Sequence, residues 1–300
     1  MATDQIPSFP EPHERPPEVL GSEALVRLGD GIWVLPDRDR TPHVPNVGII
    51  AGTRGTLVVE TGMGIDNGHR IVDVVRDVSP DSRLYVTISH LHPEHGYGVQ
   101  AFLGRATLIY NEAQRDELIE KGAFLTNLFK TFGDSVAQAL RGIEYVAPDI
   151  VFPDHVTLDL GGRVAELHRY GPAHTLGDQI VWLPEERILF TGDLVEDRFF
   201  AIMSDDDVRA SRWISQLERM EALEPAVVVP GHGIIAGVEL ITEAKQDLIL
   251  MRDQVRERSR NGDSLAEMLE TLVPGAHARH PDWGNAEWVP QIVEHFHREL

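Results

Sequence analysis

The sequence predicts an α/β chain in which two β-sheets pack face to face with helices on the outside. Three observations lead there. Short β-branched or aromatic runs bounded by Gly, Pro or Asp recur through most of the 300 residues. Stretches with apolar side chains at helical spacing separate them. The two halves also repeat one coarse order, a run of strands, then a polar turn with ligand-type side chains, then a helix. That order suits two sheets with external helices.

Taken along the chain, strands are expected at 32–35, 47–51, 56–59, 84–88 and 107–110. A helix is expected over 68–78, where Ile71, Val72 and Val75 fall on one face before Ser79-Pro80. Residues 111–141 read as helical through Leu118, Ile119, Phe124, Leu125, Leu128 and Phe129. With its flanks (about 111–147) this stretch interrupts the strands as an insertion or lid near a site. Strands resume at 156–160, 163–168, 179–183 and 188–190. A helix follows over 207–223, with Asp205-Asp-Asp207 as a charge cluster at its N-terminus. Then come a strand at 226–229 and a long helix over 238–259. The remaining residues, 261–300, read as a C-terminal helical extension: a helix, a Pro/Gly/His-rich turn and a last helix. Residues 24–260 form the main domain.

Composition narrows the function. Residues 1–23 are rich in proline and acid and lack the basic-then-apolar pattern of a signal peptide. They read as a flexible leader on a cytoplasmic protein. No apolar run is long enough to span a membrane. The absence of cysteine removes disulfides, thiolate metal sites and cysteine nucleophiles. A net charge of −21 repels nucleic-acid phosphates and anionic membranes, leaving a small-molecule substrate as the expected partner. The C-terminal helices could form a homodimer contact.

The densest chemical signal is Val86-Thr-Ile-Ser-His90-Leu-His92-Pro-Glu94-His95-Gly96. An apolar strand runs into three histidines and a carboxylate. His90 and His92, two apart, point to one side of an extended segment. Pro93 suits the first position of a helix, which places Glu94 and His95 in its first turn. Neutral imidazoles and carboxylates are the ligands of a borderline metal such as zinc. Three later turns each add one metal-capable side chain beside an apolar strand: Gly171-Pro-Ala-His174, Gly192-Asp193 and Gly231-His232. Each alone is compatible with an ordinary turn; in this order they reinforce one another.

With these segments, and the early Leu57-Val-Val-Glu60-Thr-Gly62 turn, the sequence resembles the metallo-β-lactamase-fold hydrolase superfamily, in its glyoxalase II-like and lactonase-like branch. The resemblance runs from about residue 34 to residue 233. It implies a four-layer αββα sandwich with two metal positions at one edge of the sheets. By position, His90, His92 and His174 would hold the first metal, and Glu94, His95 and His232 the second, with Asp193 bridging. Two dications about 3.5 Å apart repel by roughly 20 kcal/mol at an effective dielectric of 20, which also calls for a bridging anion. The expected chemistry is attack of a metal-bound hydroxide on an ester, thioester, lactone or amide carbonyl. Two zinc ions are expected, with iron or manganese as alternatives, and Glu94 and Asp193 serve as catalytic carboxylates.

Two residues depart from the family pattern. Glu94 and Glu60 both stand where aspartate is usual. Glu94 carries its carboxylate about 1.5 Å further out, a displacement that matters for catalysis. It could reach across the site, act as a general base without ligating, or leave the second metal weakly bound. Glu60 is expected behind His90 or His95 as a hydrogen-bond acceptor. A mononuclear iron oxidoreductase of the persulfide dioxygenase kind needs only the first position and is one alternative; a catalytically degenerate metal-binding protein is another. Tyr97 is a candidate donor to a developing oxyanion. Asp178 reads as a turn residue or as one that orients His174. Asp197, Phe199 and Phe200 are pocket or core candidates, and His277, His280, His295 and His297 read as exposed histidines on a packed end helix.

Overall fold

The computed structural model describes residues 17–37, 40–80, 82–205 and 207–300. One sheet has seven strands in chain order: β1 (Val26–Gly29), β2 (Ile32–Leu35), β3 (Val47–Ala51), β4 (Thr56–Val59), β5 (Leu84–Thr87), β6 (Ala106–Asn111) and β7 (Ile150–Phe152). The first four pair antiparallel and the rest parallel. Parallel neighbours need crossovers. Helix α1 (Gly64–Val78) supplies the first, the single turn α2 (Pro93–Gly96) lies in the second, and α3 (Glu112–Phe129) with α4 (Asp134–Ala139) makes the third.

The other sheet holds β8 (His155–Asp159), β9 (Val164–Arg169), β10 (Gln179–Leu183), β11 (Ile188–Gly192) and β12 (Val227–Pro230), in the order β12-β11-β10-β9-β8. Its only parallel pair among the described residues, β11 with β12, is joined through α5 (Ala210–Glu221). Helices α6 (Glu239–Arg260), α7 (Leu265–Arg279) and α8 (Val289–Arg298) complete the chain.

Strand alternation sorts the side chains into layers. Ile32, Val34, Ile50, Leu57 and Val59 meet Leu167, Val181, Leu183 and Phe190 between the sheets. Leu35, Val47, Ile49 and Val58 turn outward onto Ile71 and Val75 of α1. On the far side Ile180, Trp182 and Leu189 face Trp213 and Leu217 of α5 and the C-terminal helices. Both faces of the central strands of both sheets are therefore buried, each such side chain contributing roughly 1.5–3 kcal/mol. This is the expected αββα sandwich. No helix among the described residues is long and apolar enough to cross a membrane.

Some local expectations are corrected. Strands β1 and β7 were not anticipated; they are edge strands of four and three residues, too short for a periodic pattern to stand out. The helix expected over 111–141 is two pieces, because Gly133 takes φ 140° between them. Helix α5 starts at Ala210, so Asp205 and Asp207 are not its N-terminal charges; both instead bind Lys121 Nζ, at 3.0 and 2.5 Å. Helix α7 runs through Pro274-Gly275, where a turn was expected, held by the packing of Met268, Leu272 and Ala276. Residues 1–16 of the expected leader lie outside the described residues. Residues 17–24 are packed: Val19 N donates to Asn67 Oδ1 at 2.9 Å, and Val19 and Ala24 are buried.

Candidate metal centre

The site forms where strand ends meet. After β5 the chain bends at residues 89–91, becomes extended at His92 (φ −71°, ψ 147°), and Pro93 opens the single turn α2. His90 leaves the bend, His92 the residue before the turn, and Glu94 and His95 the turn itself. His174 lies in the loop between β9 and β10. Asp178 shapes this loop, accepting from Ala173 N (3.1 Å), Thr175 N (2.9 Å) and Thr175 Oγ1 (2.7 Å). Asp193 directly follows β11, and His232 lies just past β12. The glycine before each is a close approach, not merely a turn residue. A Cβ at Gly192 would stand 2.3 Å from Ser89 Cβ, and one at Gly231 would stand 1.9 Å from Asp193 Oδ1.

All seven side chains are buried and form two groups. His90, His92, His174 and Asp193 each bring a donor atom within 4.8 Å of the others, and so do Glu94, His95, Asp193 and His232. Asp193 divides its carboxylate between them. Oδ2 lies 3.6 Å from His90 Nε2 and 3.8 Å from His174 Nε2, which in turn is 3.2 Å from His92 Nδ1. Oδ1 lies 3.2 Å from His95 Nε2 and 3.7 Å from His232 Nε2.

The opposite ring nitrogens have their own partners. His174 Nδ1 donates to the Ile202 carbonyl and His232 Nδ1 to the Val44 carbonyl, each at 2.9 Å. A carbonyl only accepts, so the neutral tautomer leaves Nε2 of both rings bare toward the centre. His90 Nδ1 contacts Ser89 Oγ at 2.9 Å. His95 Nδ1 faces Glu60 Oε1 at 3.4 Å, while the Glu60 carboxylate accepts from Ser89 N. Glu60 thus sits behind His95.

Charge is finely divided here. Burial, then the neighbouring His95, holds His90 well below its usual pKa. Burial and His174 bring His92 to about 4. Burial works against Asp193 and Glu94 as anions, but the surrounding histidines prevail, placing Asp193 well below the carboxylate range and Glu94 at about 2. Against its own burial, His95 is raised by Asp193 and Glu60, and His232 is raised to about 9 by Asp193 and Asp37. His90 and His92 therefore stay neutral, while the carboxylates draw positive charge onto His95 and His232.

The donor set fits metal ions. His90 Nε2, Glu94 Oε2, His95 Nε2 and Asp193 Oδ1 are buried and make no hydrogen bond. Such atoms are rare without a reason. Ligands about 2.1 Å from a tetrahedral metal are about 3.4 Å apart, in line with the 3.2–3.8 Å separations around Asp193.

Residues 40–232 match the metallo-beta-lactamase superfamily. The chain belongs to that superfamily. The matched span contains all seven donors of the two groups. A metallo-beta-lactamase type 2 from Bacteroides fragilis is 38% identical over 104 residues, 33% of this chain and 41% of that protein. The chain thus aligns with less than half the length of that relative. The acyl-coenzyme A thioesterase MBLAC2 of Bos taurus is 25% identical over 231 residues, 71% of this chain and 81% of that protein. The solved sec-alkylsulfatase Pisa1 from Pseudomonas sp. shares the fold with a TM-score of 0.70 at 13% identity, over 92% of this chain and 50% of that one.

A cavity of about 290 Å³ opens on the centre, with His92, Glu94, Asp193 and His232 in its wall. Its apolar lining includes Leu125, Leu128 and Phe129 of α3, Phe132, Phe199 and Trp288. The insertion and the C-terminal segment both contribute. Phe200, in contrast, belongs to the core. Asp197 anchors Arg40 Nη2 at 2.9 Å and Ile234 N at 3.3 Å. Tyr97 is not in the cavity wall: its hydroxyl donates to the Gly122 carbonyl at 3.0 Å, so the oxyanion expectation is corrected. The C-terminal segment packs as expected, but its histidines are not exposed: His295 is buried and His280 stacks on Trp283 at 3.8 Å.

Sequence reasoning missed His43, Asp37, Asn46 and Glu196. Asp37 accepts from Gly233 N at 3.0 Å, and Asn46 Nδ2 donates to the carbonyls of Pro230 and Gly233. All but Glu196 lie in the β2–β3 loop, which carries no strand-end signature. Glu196, three residues after Asp193, borders the cavity; burial and Asp193 push its carboxyl well up.

Proposed function

We propose that this chain is a metal-dependent hydrolase acting on the ester, thioester, lactone or amide carbonyl of a small molecule with an apolar acyl part. The observation that carries this reading is the division of the Asp193 carboxylate between two four-donor groups in the wall of an apolar cavity. His90, His92 and His174 would hold one ion, Glu94, His95 and His232 the other, and Asp193 would bridge. Zinc suits this donor set, and when bound it polarises a carbonyl and makes water ionisable near neutral pH. The protein's own residues do the rest. Ile202 and Val44 set the tautomers of His174 and His232, and Glu60 orients His95. The cavity wall takes the apolar part of the substrate and excludes water. A net charge of −21 supports a small molecule over a nucleic acid. A one-iron oxidoreductase needs only the first group; the four assembled donors of the second favour a two-metal hydrolase.

The test pairs metal analysis with a panel of acyl esters and thioesters from acetyl to dodecanoyl. About two zinc ions per chain are expected, with turnover lost on chelation and restored by zinc. Each further buried methylene should raise kcat/KM about fourfold, or about 0.8 kcal/mol, until the cavity is full. Folded, fully metallated protein that turns over no carbonyl substrate would defeat the reading.

A further inference from the structure

The lengthened Glu94 side chain has a partner that explains how it fits. His43 Nδ1 lies 3.9 Å from Glu94 Oε1, while Glu94 Oε2 makes no hydrogen bond. One oxygen of this carboxylate also lies within 4.8 Å of the donor atoms of His95, Asp193 and His232. The two oxygens thus have different surroundings, an imidazole beside one and no hydrogen-bonding group on the other. His43 is itself held tightly. Its ring stacks on Phe132 (5.5 Å, 13°) and meets Phe129 edge-on at 5.7 Å, and its backbone takes the left-handed φ of 61°. The side chain is 14% exposed.

The loop that carries His43 also braces the other end of the second donor group. Val44 O accepts from His232 Nδ1, Asp37 accepts from Gly233 N, and Asn46 N donates to Gly231 O at 2.9 Å. One loop therefore reaches two of the four donors in that group.

We propose that His43 is a positioning residue that takes up the extra methylene of Glu94, steadying one carboxylate oxygen so that the other can serve the second metal position. Asp37, Val44 and Asn46 of that loop then act as the frame of that position. The cavity-wall rings Phe129 and Phe132 also clamp His43, so packing in the substrate cavity reaches the metal through one imidazole.

The inference rests on the two donor groups being metal sites, and zinc alone tests it without substrate. Full-length protein is titrated with zinc against a chromophoric chelator. Wild type should take up two equivalents. His43→Ala should leave the first within about twofold and weaken the second by about 10–100-fold. His43→Gln, whose amide can still donate to the carboxylate, should recover most of that loss. In a Glu94→Asp background, where the shorter side chain does not reach His43, the effect of His43→Ala should shrink to under about threefold, on the same second-site scale. Unchanged second-site affinity in His43→Ala overturns the proposal. So does an equal loss at both sites, or a loss that persists in the Glu94→Asp background. Wild type that binds no zinc defeats the metal-centre reading itself.

Discussion

The two donor groups share Asp193 but are supported differently. His90 leans on Ser89, its neighbour in sequence, and the His174 loop is shaped mainly by Asp178 four residues on, with Ile202 and Glu117 bracing it from further along the chain. The second group depends on distant chain. His232 is bound to Val44, 188 residues earlier, and His95 to Glu60, across the β4–β5 crossover. Local support costs little entropy to assemble, whereas long-range support must await folding of both partners. The affinity of the second group should therefore respond to substitutions that leave the first untouched.

Asp193→Ala breaks the comparison at its shared point and carries the largest expected effect. Both groups lose a donor, so zinc content should fall at both positions and kcat/KM by about 10³-fold or more, about 4 kcal/mol. Metal analysis with initial rates checks this; a variant that keeps two zinc ions would show the groups to be independent.

Glu117 sharpens the comparison on the first side. From α3 it accepts the backbone N–H groups of Leu176 and Gly177, at 3.3 and 3.0 Å, bracing the His174 loop. Burial raises its pKa to about 7, with Asp178 and Asp205 adding to the rise and Lys121 opposing it. A carboxyl raised on folding favours the folded state below its unfolded pKa, and that contribution is lost as pH rises through about 7. Chelated protein should therefore lose stability between roughly pH 4.5 and 7.5, by about 3 kcal/mol at most. Glu117→Gln should flatten that fall in urea unfolding followed across pH; an unchanged slope would place the titrating group elsewhere.

Glu60→Gln probes the second side and should have the smallest effect. Removing the charge behind His95 should weaken second-site zinc by about 10–100-fold, leaving the first nearly as tight. Equal weakening of both, read by chelator competition, would erase the distinction between the groups.

Much of this was legible before any coordinates, and the exceptions have physical causes. The segment from His90 to His95 could be read because three imidazoles and a carboxylate fall within six positions just after an apolar strand. His174, Asp193 and His232 could be read because each follows a recognisable strand with a turn residue nearby. His43 could not be read that way. It lies in a loop whose path is set by Asp37, Asn46 and the turn after β12, and no local pattern encodes that path. Tyr97 shows the same limit: its place near Glu94 in sequence made it no more than a candidate for the cavity, and packing against Tyr145 and the Gly122 carbonyl turns it away.

By itself, the sequence pointed to the sandwich and to seven candidate donor side chains. Those follow from hydrophobic period and from residue chemistry at strand ends, both local properties of the chain, and the family from a resemblance that the same segments carry. The tertiary structure decided how Asp193 is divided between two groups, which walls the insertion and C-terminal segment lend to the cavity, and where the long Glu94 carboxylate rests. Each of these depends on residues brought together by closing long loops and packing two sheets. Only the folded chain specifies those distances.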